Sequence, residues 1–175
     1  NYVHDNGNEE TDSIASALLA NGTGITVTGG IGNIIERNRV EDNPVAGIAV
    51  TPLPEDDPIA PIPDEADWTT GCVEDAVAAP EDVIAELDNP LLWESYDNRV
   101  AENIVSGSEE GNMVLLTLSG EAQGNCFTDN EVVGGVTAPP DIDTVISCDG
   151  ADQTYEPETA RFLEIVSIDH PQPPD

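Results

Sequence analysis

A chain of 175 residues that carries 36 Asp or Glu against four arginines and no lysine has a formal net charge of −32. That balance argues against nucleic acid as a partner, because binding a phosphate backbone needs clustered Lys and Arg. It disfavours anionic membranes and anionic polysaccharides unless a divalent cation bridges the surfaces, and the lack of lysine removes Schiff-base chemistry and any P-loop.

The length suits one domain with a real core. No stretch approaches the ~18 consecutive apolar residues of a membrane span; the run Met113-Val114-Leu115-Leu116 fits a buried strand instead. Only 38% of the residues are hydrophobic, a share that would suit a disordered chain. An internal repeat argues for order.

The chain opens on Asn1-Tyr2-Val3-His4-Asp5-Asn6, read as a partial copy of an eight-residue pattern, Asn-x-apolar-x-x-Asn-x-Val. Full copies stand at 33–40, 98–105 and 125–132. Because Asn1 falls inside a copy, residue 1 reads as a processed start with further coils before it. In 11–21, Asp12 or Ser13 can cap a short helix that Asn21-Gly22 ends. Gly24-Ile25-Thr26-Val27 matches Gly47-Ile48-Ala49-Val50, and Asn112-Met113-Val114-Leu115 stands where the Gly47 segment stands one repeat on. Such alternation predicts short strands with one buried face. Gly29, Gly30 and Gly32 predict a tight corner before Asn33. Asn tolerates the left-handed region and bonds to neighbouring backbone. Stacked copies would set Asn33 near Asn98 and Asn38 near Asn103, where side-chain amides form ladders.

These recurring positions resemble the repeat of the right-handed parallel β-helix family, the pectate-lyase-like solenoids, over roughly residues 1–148 less one large insertion. The resemblance implies an all-β fold, a right-handed parallel β-helix of about four coils with a long inserted loop and a C-terminal cap. It further implies the C-terminal coils of a secreted or surface-attached bacterial member. The coils are expected at 1–32, 33–50, 98–124 and 125–148. Their expected interior is Ile25, Val27, Ile35, Val40, Ile48, Val50, Val100, Val105, Met113, Leu115, Phe127 and Val132, with mostly Asp, Glu, Thr and Ser outside. The segment around Cys126, followed by Cys148, looks like the closing coil of secreted members in which such a pair is bridged, leaving Cys72 outside. Closing that loop would contribute ~3 kcal/mol in the chain-entropy model. Three reduced, buried cysteines in a cytosolic protein is the alternative.

Residues 51–97 interrupt the repeat and are expected to form an arm. The proline density of 51–63 argues against strand or helix and for an extended, polyproline-like course. Residues 80–87 place Val83, Ile84 and Leu87 on one side of a short amphipathic helix. Trp68 and Trp93 flank that helix and should pack on the solenoid flank or on a partner. In the tail, 149–175, the apolar segment 162–168 is expected to cap the open end, with an extended proline-rich terminus.

In the family resembled here, lyases use an Arg or Lys base with Asp-bound Ca²⁺, and hydrolases use paired carboxylates. This puts forward Arg39 and Arg99 as bases and Asp141 with Asp143 as an acid pair. The arginines equally stand where they would pair with Glu36, Glu41 or Glu102, and the two aspartates fall on a segment expected to be solvated. The densest cluster of hard oxygen ligands is Asp5, Asn6, Asn8, Glu9, Glu10 and Asp12, with Asp5, Asn8, Glu9 and Asp12 as the calcium candidates, without the ordered spacing of an EF-hand. His4 and His170 stand alone, with no zinc-site spacing. Ca²⁺ is the one cofactor these residues suggest. The expected function is a non-catalytic extracellular structural or binding module, whose 51–97 arm engages a protein partner or another copy. The alternatives are a polysaccharide-processing lyase, hydrolase or epimerase, and a calcium-bridged surface adhesin.

Overall fold

Short β-prone triplets, most of them introduced by asparagine, form the strands of this protein, and they pair in parallel across long sequence separations. The computed structural model describes residues 1–7, 22–55, 76–78, 91–117, 121–150 and 155. One sheet holds β1 (Tyr2–His4), β4 (Arg39–Glu41), β10 (Ile104–Ser106) and β13 (Glu131–Val133), in that order. A second holds β2 (Thr23–Thr28), β5 (Ala46–Thr51), β11 (Gly111–Leu115) and β14 (Thr137–Ala138), and a third β3 (Ile34–Glu36), β9 (Arg99–Ala101) and β12 (Cys126–Thr128). Every pairing in the three is parallel. The trios β3-β4-β5, β9-β10-β11 and β12-β13-β14 visit the third, first and second sheets in the same rotation. The chain is therefore mostly β with parallel sheets.

Register follows the repeat. Ile48 pairs with Ile25 on one side and Met113 on the other, and Val50 likewise with Val27 and Leu115. Val100 lies between Ile35 and Phe127, and Val105 between Val40 and Val132. Of the twelve expected interior residues, ten are buried, while Ile25 and Val132 are partly buried against the same core. Those two sit on β2 and β13, the outermost strands of their sheets, where one neighbouring layer is missing among the described residues. One feature departs from single-faced alternation: β5 and β11 are buried on both faces, Ala49 and Val114 included. Near-continuous apolar runs such as Met113-Val114-Leu115-Leu116 mark strands of this kind.

The opening segment is displaced from its expected phase. Val3 pairs with Val40, and the Nδ2 of Asn1 donates to Oδ1 of Asn38 at 2.8 Å. Asn1 thus occupies the second asparagine position of the pattern, not the first, and Asn6 lies against Asn43 instead. The Asn-x-apolar motif recurs every five residues within a copy, so a shift of five preserves the pattern and only strand pairing resolves it.

The insertion also differs. β6 (Leu53–Glu55), β8 (Leu91–Trp93) and β7 (Ala76–Ala78) make a separate antiparallel sheet with β8 in the middle. Leu53-Pro54-Glu55 is a strand despite its proline, because β6 is an edge where Pro54 need not donate to a neighbour. The chain rejoins the parallel body before Asn98: Ser95 Oγ donates to the Thr51 carbonyl at 2.8 Å, and Ile31 bridges Tyr96. Residues 80–87, Trp68 and Cys72 lie outside the described residues.

After β14 come Pro139 and Pro140, then α1 (Ile142–Val145). Ser147 next bridges Phe127 in parallel, and Cys148 forms a disulfide with Cys126 at a Cα separation of 4.7 Å. Further on, the buried Tyr155 shares a 2.8 Å hydroxyl contact with Thr117. The expected cap at 162–168 lies outside the described residues.

Candidate functional site

The turns between strands set the polar geometry. Arg37, Asp97, Glu102 and Asp129 adopt φ values of 53° to 55°, each directly before an asparagine of the pattern. A non-glycine residue there costs about 1–2 kcal/mol, which the bonds of the following asparagine offset. In one column Asn33 donates through its main-chain N–H and its Nδ2 to Oδ1 of Asn98, at 2.8 and 2.9 Å, and Asn98 does the same to Asn125, at 3.1 and 2.8 Å. In the other, Asn38 donates twice to Asn103 and Asn103 twice to Asn130. Asn103 also donates to the Ile35 carbonyl at 3.0 Å. Its amide therefore accepts two bonds and gives two, which satisfies it completely at zero exposure.

The candidate acid pair stands at the end of the second column. A cavity of about 500 Å³ there is lined by Met113, Asn130, Val132, Asp141 and Asp143, among others. Asp143 is half-buried and engaged, contrary to the solvated place expected for it. Its carboxylate accepts from the Asn130 N–H at 2.7 Å and from Asn130 Nδ2 at 2.9 Å, the two bonds that the next asparagine would accept. Only 13 residues separate this rung from Asn130, against 27 between Asn130 and Asn103. That short spacing, together with Asp standing in for Asn, hid the relationship in the sequence; the signal was the chemical likeness of the two acceptors. Asp141 is exposed in the left-handed region at φ 55°, and its carbonyl accepts from Thr144 and Val145 at the start of α1. Two neighbouring carboxyls are present, but one is bound into the framework.

The candidate bases are also engaged. Arg39 reaches Glu41 through Nη2 at 2.6 Å and Nε at 2.8 Å, and lies 5.9 Å from the centre of the Tyr2 ring. The Arg39 hydrogen bond first, and the one from the Tyr2 hydroxyl second, hold the Glu41 carboxyl below its ordinary range. Arg99 Nη1 lies 3.6 Å from Glu36 across the third sheet, and Arg37 bonds the same Glu36. These are two of the three glutamate partners expected, Glu102 being the one not among them. The structure does not bring the arginines and the aspartates into one cluster: Arg39 and Arg99 are absent from the lining of the cavity that holds Asp141 and Asp143.

Of the calcium candidates, Asp5 is described, at φ 52° and 2.7 Å from His4 Nδ1. Asn8, Glu9, Asp12 and His170 lie outside the described residues. Asp5, Asp42 and Glu109 border a shallow cleft of about 270 Å³. Among the described residues no group of three or more His, Cys, Asp or Glu is placed to hold a metal ion.

Trp93 ends β8, half-buried, with its backbone close against Gly29. It stands at the junction of the antiparallel sheet and the parallel body. No helix among the described residues is long and apolar enough to cross a membrane. No protein-family model, curated protein or solved structure matches this chain.

Proposed function

We propose that this chain is a right-handed parallel β-helix of about four coils that serves as a non-catalytic extracellular module. On this reading the stacked coils form a rigid acidic rod, and the 51–97 arm contacts a protein partner or another copy. The rotation of the chain through three parallel sheets and the two asparagine columns support the solenoid. The Cys126–Cys148 bridge supports an oxidising, extracellular setting. One observation carries the choice of a structural role over catalysis: Asp143 is bound by both the N–H and the Nδ2 of Asn130, and neither Arg39 nor Arg99 lines the cavity that holds it. A polysaccharide-processing enzyme would need its acid and base groups gathered around one substrate.

The arm can be removed cleanly, because the Thr51 carbonyl and Ser95 Oγ are 2.8 Å apart. Replacing residues 52–92 with a short Gly/Ser linker should preserve the far-UV dichroism of the stacked strands and abolish association measured by sedimentation velocity. Association that survives the deletion counts against the arm. Release of oligosaccharides from a panel of neutral and acidic polysaccharides by the purified full chain would replace this reading with the enzyme.

A further inference from the structure

The second sheet is covered on its outer face. Side chains alternate along a strand, so with Ile48, Val50, Met113 and Leu115 in the core, Ala49 and Val114 point the other way. Register sets Thr26, Ala49, Val114 and Ala138 in one row across β2, β5, β11 and β14. Ala49, Val114 and Ala138 are nevertheless buried, as is Leu116 just past the end of β11. None of these side chains ionises, in a chain of net charge −32. Such a row is stabilised by an apolar cover.

The described elements do not supply that cover. The first and third sheets close the core side, where Val40, Val105, Val100 and Phe127 meet Ile48 and Met113. The antiparallel sheet joins at the ends of β2 and β5, through Gly29 and Thr51, and α1 lies against β12. The cover therefore comes from chain outside the described residues.

Tyr155 indicates which part. Its hydroxyl meets Thr117 Oγ1 at 2.8 Å and the Leu115 carbonyl at 3.4 Å, so the chain that follows it starts beside Val114 and Leu116. That chain holds Phe162, Leu163, Ile165, Val166 and Ile168, with Glu164 as the one ionisable residue among 162–168. The inserted stretches 56–75 and 79–90 carry seven and four Asp or Glu, and burying those charges against an uncharged row is costly. The apolar stretch 13–20 lies between Asn6 and Gly22, which bond to Asn43 and Val45 at the head of β2 and β5. Leu116 and Tyr155 stand at the opposite end of the strands.

We propose that residues 156–168 lie along the outer face of β5, β11 and β14 and cover the row formed by Ala49, Val114 and Ala138. The segment then sits on the side of the stack, not across its open end. This face is closed to a partner, a substrate or a second copy until the segment is displaced.

The test is solution NMR on the unaltered full chain with labelled methyl groups. Through-space contacts are expected from the Val114 methyls, and from the Ala49 or Ala138 methyl, to the Phe162 ring or to the methyls of Leu163, Ile165 or Val166. Contacts from the row to residues 8–21 or 56–90 in their place overturn the proposal, and so does a row without any contact to 156–168. The full chain carrying Phe162→Asp/Ile165→Asp gives a second readout. The methyl resonances of Ala49, Val114 and Ala138 should shift, while those of Ile35 and Val100 in the third sheet stay where they are. A folded variant whose row does not move rejects the cover. If that variant unfolds, the contacts in the unaltered chain decide alone.

Discussion

The side-chain oxygen of Asn103 accepts two hydrogen bonds from Asn38, one from its main-chain N–H and one from its Nδ2, each 3.0 Å long and spanning 65 residues of sequence. Parallel stacking makes this possible, since residues at the same corner of successive courses lie one strand spacing apart, about 4.8 Å. An amide is suited to the corner because it is donor and acceptor at once.

Asn103→Ala should therefore destabilise the protein by about 3 kcal/mol, because it strands the Asn38 donors and the Ile35 carbonyl in a site closed to water. Urea unfolding should show a lower midpoint at unchanged slope. Asn33→Ala, at the exposed start of its column, should cost less than half as much. Equal losses at the two positions would mean that burial of the ladder is not what matters.

Reducing the Cys126–Cys148 bridge should lower stability by about 3 kcal/mol, the loop-closure value for a separation of 22 residues. The check is denaturant unfolding of the native chain against Cys126→Ser/Cys148→Ser. The loss should be felt first at Ile146 and Cys148, whose amide hydrogens bond α1 and Phe127, and hydrogen exchange would show it.

Glu41 should titrate below an ordinary glutamate, because Arg39 and then Tyr2 bond its ionised form. A depressed folded value means that the contact stabilises the fold above the unfolded glutamate value. That contribution fades as the pH falls through the folded one. Glu41 lies at the surface, so the contribution is modest and salt-sensitive. Carboxyl-carbon NMR should show the Glu41 midpoint rising in Arg39→Gln and, by less, in Tyr2→Phe. A larger effect from Tyr2→Phe would reverse the order of causes.

A net charge of −32 should make stability rise with ionic strength as self-repulsion is screened. NaCl at about 0.5 M is expected to raise the melting temperature as much as millimolar CaCl₂ does. Saturable extra stabilisation by Ca²⁺ in that salt, lost in Asp5→Asn/Asp12→Asn, would instead reveal a specific site.

What the sequence determined by itself is the set of side chains that repeat together. Asn-x-apolar copies at 33–40, 98–105 and 125–132 marked the strands, nearly all of the interior and the pairing of Asn33 with Asn98 and Asn38 with Asn103, because a buried face and a self-complementary amide recur at fixed spacing in any stack. Tertiary pairing alone decided the phase of Asn1, since a five-residue slip leaves the local pattern intact. It also decided that Pro54 could lie in a strand, as an edge position asks for no N–H. Asp143, which the sequence offered as half of a candidate acid pair with Asp141, became the last rung only when Pro139 to Cys148 folded back over β12. Its role depends on which donors lie opposite it in space, and neither residue type nor spacing along the chain encodes that.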